Sequence, residues 1–244
     1  MNHRFSPLLP KDALRAPVLA VAAHPDDEVI GAGGLLAWHG IHGHRVTVVH
    51  ATDGAQGDPS GMQQDIRSVR RAEGREALLR LGITDLRHWD LPDGQLPECV
   101  DTLAQRLREL FAEVRPATFY GFWFAEAHRD HQAMALATVR AADALPADCR
   151  CLLFGVNNVP TGGTLFDTTD VHERKKHALR AYASQLAYID FAALSDHRDR
   201  VAMVNVDVPG VTHGELYADL LPHELGRAMA LAEPLQAMLT ERVR

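Results

Sequence analysis

Short apolar runs of strand length alternate along this sequence with segments that have helical periodicity. Residues 18–23 form the first apolar run, and residues 45–50 form a second that is rich in β-branched side chains. Residues 29–38 and 62–81 carry apolar side chains at helical spacing. This alternation is typical of strand–helix–strand units on a mostly parallel sheet. The sequence therefore predicts an α/β, Rossmann-like fold with helices on both faces of one sheet.

The rest of the chain continues the pattern with less regularity. The further predicted strands are 86–90, 118–124, 151–156 and 201–208, and the further predicted helices are 97–115, 131–144, 172–186 and 215–244, the last with a break near Pro222. Residues 157–170 have no periodicity and are predicted to form a long loop. Because no low-complexity linker or repeat divides the chain, we expect one domain, 17–244, after an N-terminal extension, 1–16.

Composition excludes several classes of protein. With 244 residues, of which 46% are hydrophobic, the chain can bury one large core without disulfides. The net charge is −7 and no run of Lys or Arg occurs, which argues against a nucleic-acid partner or an anionic membrane surface. No apolar stretch is long enough to span a membrane. Small molecules remain as the expected substrates.

The compartment is predicted from the cysteines and from the N-terminal region. The three cysteines, Cys99, Cys149 and Cys151, form neither a disulfide framework nor a four-cysteine zinc site, which favours a reducing, cytoplasmic environment. Arg15 followed by the apolar residues 16–23 could instead imitate a secretory signal. We favour a buried strand, because cleavage would remove the residues in front of the richest polar cluster in the chain.

Two polar clusters directly follow predicted strands. The first is His24-Pro25-Asp26-Asp27-Glu28, and the second is His128-Arg129-Asp130-His131. Ligands of open parallel sheets bind outside the carboxyl ends of the strands. We therefore expect the two clusters to meet at the same edge of the sheet.

The chemistry of these clusters favours a metal ion. Three adjacent carboxylates repel one another and need a positive partner, and a helix dipole alone is a weak one. His24 and His131 with one carboxylate form a ligand set typical of catalytic zinc, and iron(II) suits the same ligands. A His and an Asp three residues apart can face one ion, although spacing alone does not fix which carboxylate binds. Asp26 is then the candidate general base for an activated water.

Simpler interpretations exist for each cluster. Residues 26–28 could be an acidic first turn that complements a helix dipole, and Asp130 could be a helix N-cap with its neighbouring histidines in solvent. The occurrence of both clusters at strand ends favours a site over either interpretation. His39, His42 and His44 could form a second metal site, but a solvent-facing helix end explains them better. The glycines of 31–34 lack a full phosphate-binding fingerprint and predict close approach of a helix to the sheet.

Four motifs together resemble the LmbE-like, or PIG-L, family of metal-dependent deacetylases that act on N-acetylglucosaminyl groups. These are AHPDDE (23–28) followed by GAGG, TDG (52–54) at the end of the second strand, and HRDH (128–131). Weaker similarity extends over about 18–185 and includes RRAE (70–73) and LPDG (91–94). The chain departs from the family pattern at Arg129 and Ala23, where proline is usual. Neither position supplies a ligand.

The resemblance implies a role for each matching residue. Zinc is expected on His24, Asp27 and His131, with Asp26 as the general base. His128, in its protonated form, is expected to stabilise the oxyanion, and Asp130 to orient His128. Arg70 and Asp93 resemble contacts to sugar hydroxyls, and the family pattern also implies a homo-oligomer.

The predicted reaction is hydrolysis of an N-acetyl amide on a small amino-sugar conjugate. One alternative is an amidase that removes a larger acyl group from an amino-sugar thiol conjugate. A magnesium-dependent phosphotransfer site is disfavoured by the histidines of the second cluster. A non-catalytic sugar-binding protein would have no need of a base at Asp26.

Overall fold

An eight-stranded mixed sheet forms the centre of the computed structural model, which describes residues 6–241. The strands are β1 Leu8–Leu9, β2 Val18–Ala22, β3 Val46–Thr52, β4 Asp85–Leu91, β5 Thr118–Phe122, β6 Arg150–Phe154, β7 Thr164–Asp167 and β8 Gly214–Leu220. Their order across the sheet is β1-β7-β8-β6-β5-β2-β3-β4. The run from β6 to β4 is parallel, whereas β8 is antiparallel to both β6 and β7. The predicted mostly parallel α/β sheet is confirmed.

The helices of the described chain fall into two packed groups. They are α1 Asp27–Ile41, α2 Ile66–Leu81, α3 Val100–Val114, α4 Arg129–Ala141, α5 His172–Leu179, α6 Ala183–Leu186, α7 Phe191–Ala202 and α8 Leu225–Glu241, with short 3-10 turns at Lys11–Ala13, Leu96–Cys99, Ala142–Ala144 and Pro222–Glu224. Helices α1, α2 and α5 pack together, and α3 packs on α4. None of the helices in this described region is both long and apolar enough to cross a membrane.

Local sequence explains where helix α2 begins and ends. Asp65 caps its first turn by accepting a hydrogen bond from the Ser68 amide at 3.2 Å. Gly82 ends it in the left-handed conformation, at φ +87°, as predicted from the glycine.

Three predictions for the last third of the chain are wrong. Residues 164–167 of the predicted loop form β7, because β8 returns antiparallel and supplies a partner that no local pattern reveals. Residues 201–208 are not a strand, because Asp190 caps a helix that runs through Ala202, and Val204 and Val208 beyond it are exposed. Residues 214–220 form β8 instead of a helix, and helix α8 begins only at Leu225. Residues 242–244 of the predicted C-terminal helix lie outside the described residues.

Two smaller differences occur near the chain's other predicted boundaries. The predicted helix 172–186 is interrupted after Leu179 and resumes as α6. Within the predicted extension, Leu8 and Leu9 pair in parallel with β7, whereas residues 1–5 lie outside the described residues. The domain boundary at residue 17 stays a prediction.

Helix α1 lies unusually close to the sheet, as the glycines of 31–34 predict. A Cβ atom on Gly31 would lie 2.1 Å from Cδ2 of Phe154 on β6, a distance that permits no side chain. The Gly34 and Leu35 amides donate to the two carboxylate oxygens of Glu215 on β8, at 2.8 and 3.0 Å. These contacts hold the middle of α1 against β6 and β8.

The strands β2 and β5 are neighbours in the sheet, with Val18 opposite Thr118. The loop after β2 leads directly into α1, and the loop after β5 leads into α4. Both polar clusters therefore lie at the same carboxyl edge of the sheet.

Candidate active site

The three predicted metal ligands converge at this edge. Nδ1 of His24 lies 3.3 Å from Oδ2 of Asp27, and Oδ1 of Asp27 lies 3.2 Å from Nε2 of His131. The two histidine nitrogens are 3.3 Å apart. A tetrahedral ion with bonds of about 2.0–2.2 Å separates its ligand atoms by roughly 3.3–3.6 Å. All three side chains are buried, and these distances, in which each Asp27 oxygen faces one histidine, are close to the separation expected around a zinc-sized ion.

Carboxylates bind the opposite nitrogen of each histidine. Nε2 of His24 lies 3.1 Å from Oδ2 of Asp130 and 3.2 Å from Oδ1 of Asp93. Nδ1 of His131 lies 2.7 Å from Oε2 of Glu126. Such partners hold a proton on the far nitrogen, so that the near nitrogen offers its lone pair to a metal. Glu126 is not among the site residues predicted from the sequence, and its place two residues before HRDH is the only sequence signal that points to it.

The electrostatics of the cluster favour a cation. Burial opposes protonation of His131, but the Asp27 charge and the hydrogen bonds to Asp27 and Glu126 outweigh it and raise its pKa to about 9. Burial likewise opposes ionisation of Asp27, but His131 and His24 lower its pKa well below the usual value. A divalent ion would supply the positive charge that protons on the histidines otherwise provide.

Asp26 lies beside the three ligands in a strained backbone conformation. Its φ is +134°, which is rare for a residue other than glycine, and its side chain does not cap helix α1. Oδ2 instead lies 3.1 Å from Nη2 of Arg70. Burial and the charges of Asp27 and Glu28 raise the pKa of Asp26 to about 7, although Arg70 opposes the shift. A carboxylate with such a pKa is suited to act as a base near neutral pH.

Arg70 and Asp93, the two predicted sugar contacts, are tied into this network. Arg70 donates from Nη2 to the Pro25 carbonyl at 2.9 Å, and its Nη1 lies 4.0 Å from Oδ2 of Asp93. Asp93 Oδ2 accepts a hydrogen bond from the Gln56 amide at 2.9 Å. Nε of Arg70 is buried without a hydrogen-bond partner in the structure. Both side chains line the cavity, and their contact with sugar stays a prediction.

The geometry of His128 differs from the sequence-based expectation of a protonated ring. Nδ1 of His128 accepts a hydrogen bond from the Asp130 amide at 3.2 Å, which places the proton of a neutral ring on Nε2. Burial and the neighbouring His24 and His131 lower the pKa of His128. A neutral ring with an Nε2–H donor is therefore the favoured form.

Asp130 supports a different histidine from the one predicted. Its Oδ2 lies 3.1 Å from Nε2 of His24 and accepts from the Gly94 amide at 2.8 Å, and its Oδ1 accepts from the Leu96 amide at 3.1 Å. The carboxylate therefore orients His24, and only its backbone amide contacts His128.

A cavity of about 350 Å³ opens onto these residues. Its lining combines the predicted ligands and Asp26 with the apolar side chains of Ile30, Val156, Ile189 and Phe191. This volume is near the lower end of the roughly 300–1,000 Å³ range of small-molecule sites. A larger cavity of about 440 Å³ beside α7 and β8 contains none of the predicted site residues. The smaller one is the candidate active site, because the reactive groups converge there.

The other histidine clusters are less suited to a metal. Both ring nitrogens of His39 are hydrogen-bonded, one to His44 at 2.8 Å and the other to the Tyr120 hydroxyl at 2.9 Å. His39 is buried, whereas the sequence predicts a solvent-facing side chain. A second group contains His172, Asp196 and His213. The ring centroids of His172 and His213 lie 3.6 Å apart, and the ring planes are inclined by only 15°. An imidazole binds a metal in the plane of its ring, and two nearly parallel stacked rings do not share an ion in this way.

Comparisons with known proteins show which family and which relatives the chain is similar to. A family model described as PIG-L: GlcNAc-PI de-N-acetylase matches residues 19–142. The chain is 31% identical over 182 residues to a probable N-acetyl-alpha-D-glucosaminyl L-malate deacetylase 2 of Bacillus cereus, covering 69% of this chain and 83% of the relative. It is also 31% identical over 159 residues to a 1D-myo-inositol 2-acetamido-2-deoxy-alpha-D-glucopyranoside deacetylase of Thermomonospora curvata, covering 54% and 53% of the two chains.

Solved structures share the fold. An N,N'-diacetylchitobiose deacetylase from Pyrococcus horikoshii superposes with a TM-score of 0.74 at 20% identity, covering 85% of this chain and 84% of that one. The 4-carboxy-2-hydroxymuconate hydratase GalB of a Pseudomonas superposes with a TM-score of 0.69 at 23% identity, covering 84% and 96%. Proteins with this fold include a deacetylase and a hydratase, so the fold alone does not define the reaction, and the function is inferred from the site residues.

Proposed function

The chain belongs to the PIG-L family, and from this premise we propose that it removes the N-acetyl group of an N-acetylglucosamine-type conjugate with a metal ion on His24, Asp27 and His131. The observation that supports the proposal best is the convergence of these three side chains, each pair of which is separated by 3.2–3.3 Å between its nearest ligand atoms, in a cavity that Asp26 also lines. Zinc fits the ligand set, and iron(II) is the alternative.

The residues of the chain divide the work of amide hydrolysis. The bound ion would supply Lewis acidity for the amide carbonyl and for the attacking water. Asp26 accepts the proton that the water loses as its oxygen bonds to the acetyl carbon. The proton then passes to the nitrogen as the C–N bond breaks, so the products are acetate and a free amine.

Two further side chains support the transition state in this proposal. The Nε2–H of neutral His128 donates to the carbonyl oxygen as it gains negative charge, a contribution that is typically worth about 100- to 1000-fold in turnover. Arg70 holds Asp26 in place through its 3.1 Å ion pair. The apolar lining residues Ile189 and Phe191 suit the apolar face of a sugar ring, with Arg70 and Asp93 as contacts to its hydroxyls.

The test is hydrolysis of a panel of N-acetylglucosamine conjugates with malate, inositol and a second sugar as aglycones, together with longer N-acyl analogues. The protein is assayed after loading with zinc or iron(II), after chelation, and as an Asp27→Asn variant. Asp101→Asn, at a highly exposed carboxylate, is the matched control. We expect acetate and amine in equal amounts from the loaded wild type and the control variant only.

Other outcomes distinguish the alternatives. Release of a longer acid with no acetate would identify the amidase that acts on larger acyl groups. Binding of the conjugates to metal-loaded protein without any release would identify a sugar-binding protein and contradict the proposal. Equal turnover before and after complete removal of the metal would exclude the assigned metal chemistry.

A further inference from the structure

Glu126 is fully buried between helix α4 and the segment that follows strand β6. Its Oε2 lies 2.7 Å from Nδ1 of His131. Its Oε1 accepts hydrogen bonds from the Val156 amide at 2.8 Å and from the Asn158 amide at 3.0 Å. The Asn157 amide lies 3.2 Å from both oxygens. One side chain therefore joins a proposed metal ligand to three consecutive backbone amides.

This arrangement requires a carboxylate. The three backbone amides that face Glu126 are N–H donors, and His131 Nδ1 donates in the tautomer that leaves Nε2 free for a metal. An ionised carboxylate offers acceptors to all of them. Hydrogen bonds to a charged acceptor are stronger than neutral ones, and a buried carboxylate without them would be costly. A glutamine would offer one acceptor oxygen and would turn an NH₂ group towards another donor. The hydrogen-bond partners therefore require the two acceptor oxygens of a glutamate, and a glutamine of the same shape would not satisfy them.

The contacts of Glu126 reach the cavity from two sides. His131 presents Nε2 to Asp27 and His24, while Val156 and Asn157 form part of the cavity wall. The proton that Glu126 holds on Nδ1 keeps the Nε2 lone pair directed at the ion position. The orientation of the ligand and the position of the wall thus depend on one carboxylate.

The same design occurs at the other histidine ligand. Asp130 binds Nε2 of His24 and also accepts from the amides of Gly94 and Leu96. Gly94 lines the same cavity. Each histidine is therefore supported by a buried carboxylate that also anchors a cavity-lining loop.

We propose that Glu126 is a positioning residue that couples metal binding at His131 to the conformation of the cavity wall at residues 156–158. This inference rests on the proposed function for the presence of a metal. Coupling is reciprocal, so a bound ion steadies the wall and an ordered wall strengthens the binding of the ion. Loss of a residue that served only as a loop anchor would lower the metal affinity much less than loss of a partner of His131.

The experiment compares wild type, Glu126→Gln and Glu126→Asp with no substrate present. The dissociation constant of Zn²⁺ is measured by competition with a chelator, and hydrogen exchange of amides 156–158 is measured with and without Zn²⁺. Loss of a partner behind a metal ligand typically costs about 10- to 100-fold in affinity. We expect this loss in Glu126→Gln, together with faster exchange that Zn²⁺ no longer slows. Glu126→Asp keeps the charge, so we expect its Zn²⁺ affinity and its exchange at 156–158 to lie between those of Glu126→Gln and the wild type. If Glu126→Gln fails to fold, Glu126→Asp provides the test in its place.

Asn158→Ala is the matched control, because the Asn158 side chain anchors the same segment through the Ala125 carbonyl at 2.9 Å without touching His131. It is expected to speed exchange at 156–158 while Zn²⁺ binding falls by much less than in Glu126→Gln. Wild-type affinity in Glu126→Gln would overturn the coupling and leave the proposed function intact. A wild-type protein that binds neither Zn²⁺ nor Fe²⁺ would overturn both.

Discussion

The guanidinium of Arg70 and the carboxylate of Asp26 form a buried ion pair, with 3.1 Å between Nη2 and Oδ2. Without this partner, Asp26 would lie among Asp27, Glu28 and the low-dielectric interior, all of which disfavour its charge. Arg70 also holds the Pro25 carbonyl, so it fixes the turn from which Asp26 projects. The pair therefore governs both the position and the protonation of the proposed base.

Replacing Asp26 with asparagine tests the role of the base directly. We expect Asp26→Asn to lower the turnover number by about 100- to 10,000-fold, the range that general-base catalysis supplies. Zinc stoichiometry should not change, because the three proposed ligands are other residues. Turnover is measured on the best conjugate of the panel, and metal content by elemental analysis of the same sample. Retention of more than a tenth of the activity would remove Asp26 from the mechanism.

Arg70→Met is expected to move the acid limb of the pH profile of kcat/KM to higher pH. The base acts as a carboxylate, which is the form present above its pKa. Because Arg70 lowers that pKa, its loss raises it, and activity at pH 6 should fall more than activity at pH 8. Arg67→Met, at an exposed arginine of the same helix, should leave the profile in place. If Arg70 only contacted sugar, Arg70→Met would raise KM by the same factor at both pH values.

The location of the proposed ligands and base could be predicted from the sequence because these residues lie within a few positions of two strand ends, whereas the role of each stays a prediction drawn from the family resemblance. Parallel strands bring their carboxyl ends to one edge, so His24, Asp27 and His131 had to be near one another. The partner of His131 could not be predicted in this way. Glu126 reaches amides about 30 residues further along the chain, and that contact depends on how the segment after β6 folds back.

The fold was predictable where both faces of a strand are buried. All residues of β2 and β3 are buried, and such strands appear as continuous apolar runs. The strand β8 contains Glu215, whose charge is compensated by Lys175 at 2.7 Å. A buried carboxylate paired with a distant lysine breaks the apolar pattern, which is why the sequence predicts a helix where β8 lies.

Gly31→Ala tests the close packing of α1 on the sheet. The added Cβ would lie 2.1 Å from Cδ2 of Phe154, so either the helix or the ring must move. We expect a loss of roughly 1–3 kcal/mol in the free energy of unfolding, despite the better helix propensity of alanine. Phe154→Leu in the same chain should reduce the cost, which a double-mutant cycle by urea denaturation measures.

Gly162→Ala is the matched control for this substitution. A Cβ at Gly162 meets no atom within 4 Å, so its effect is expected to stay within about 0.5 kcal/mol. Equal stability of Gly31→Ala and Gly162→Ala would show that α1 can lift from β6 without cost.

His39 is expected to make the protein less stable as the pH falls below about 6.5. Burial, with smaller contributions from His44 and His42, lowers the pKa of His39 to about 3. In the unfolded chain His39 binds a proton near pH 6.5, whereas in the folded protein it stays neutral until about pH 3. The contribution of this group to the free energy of unfolding is therefore lost as the pH falls from 6.5 towards 3. One such group contributes a slope of about 1.4 kcal/mol per pH unit.

The slope attributable to His39 can be isolated by difference. His39→Gln keeps a polar side chain that can reach the Tyr120 hydroxyl but has no titratable ring. Its free energy of unfolding, measured in urea between pH 4.5 and 7.5, should depend less steeply on pH than that of the wild type. His177→Gln, at an exposed histidine on α5, should keep the wild-type slope. If the free energy of unfolding depended equally on pH in all three proteins, the prediction would be wrong. The His39 ring would then be protonated in the folded protein, with water reaching it beside Tyr120.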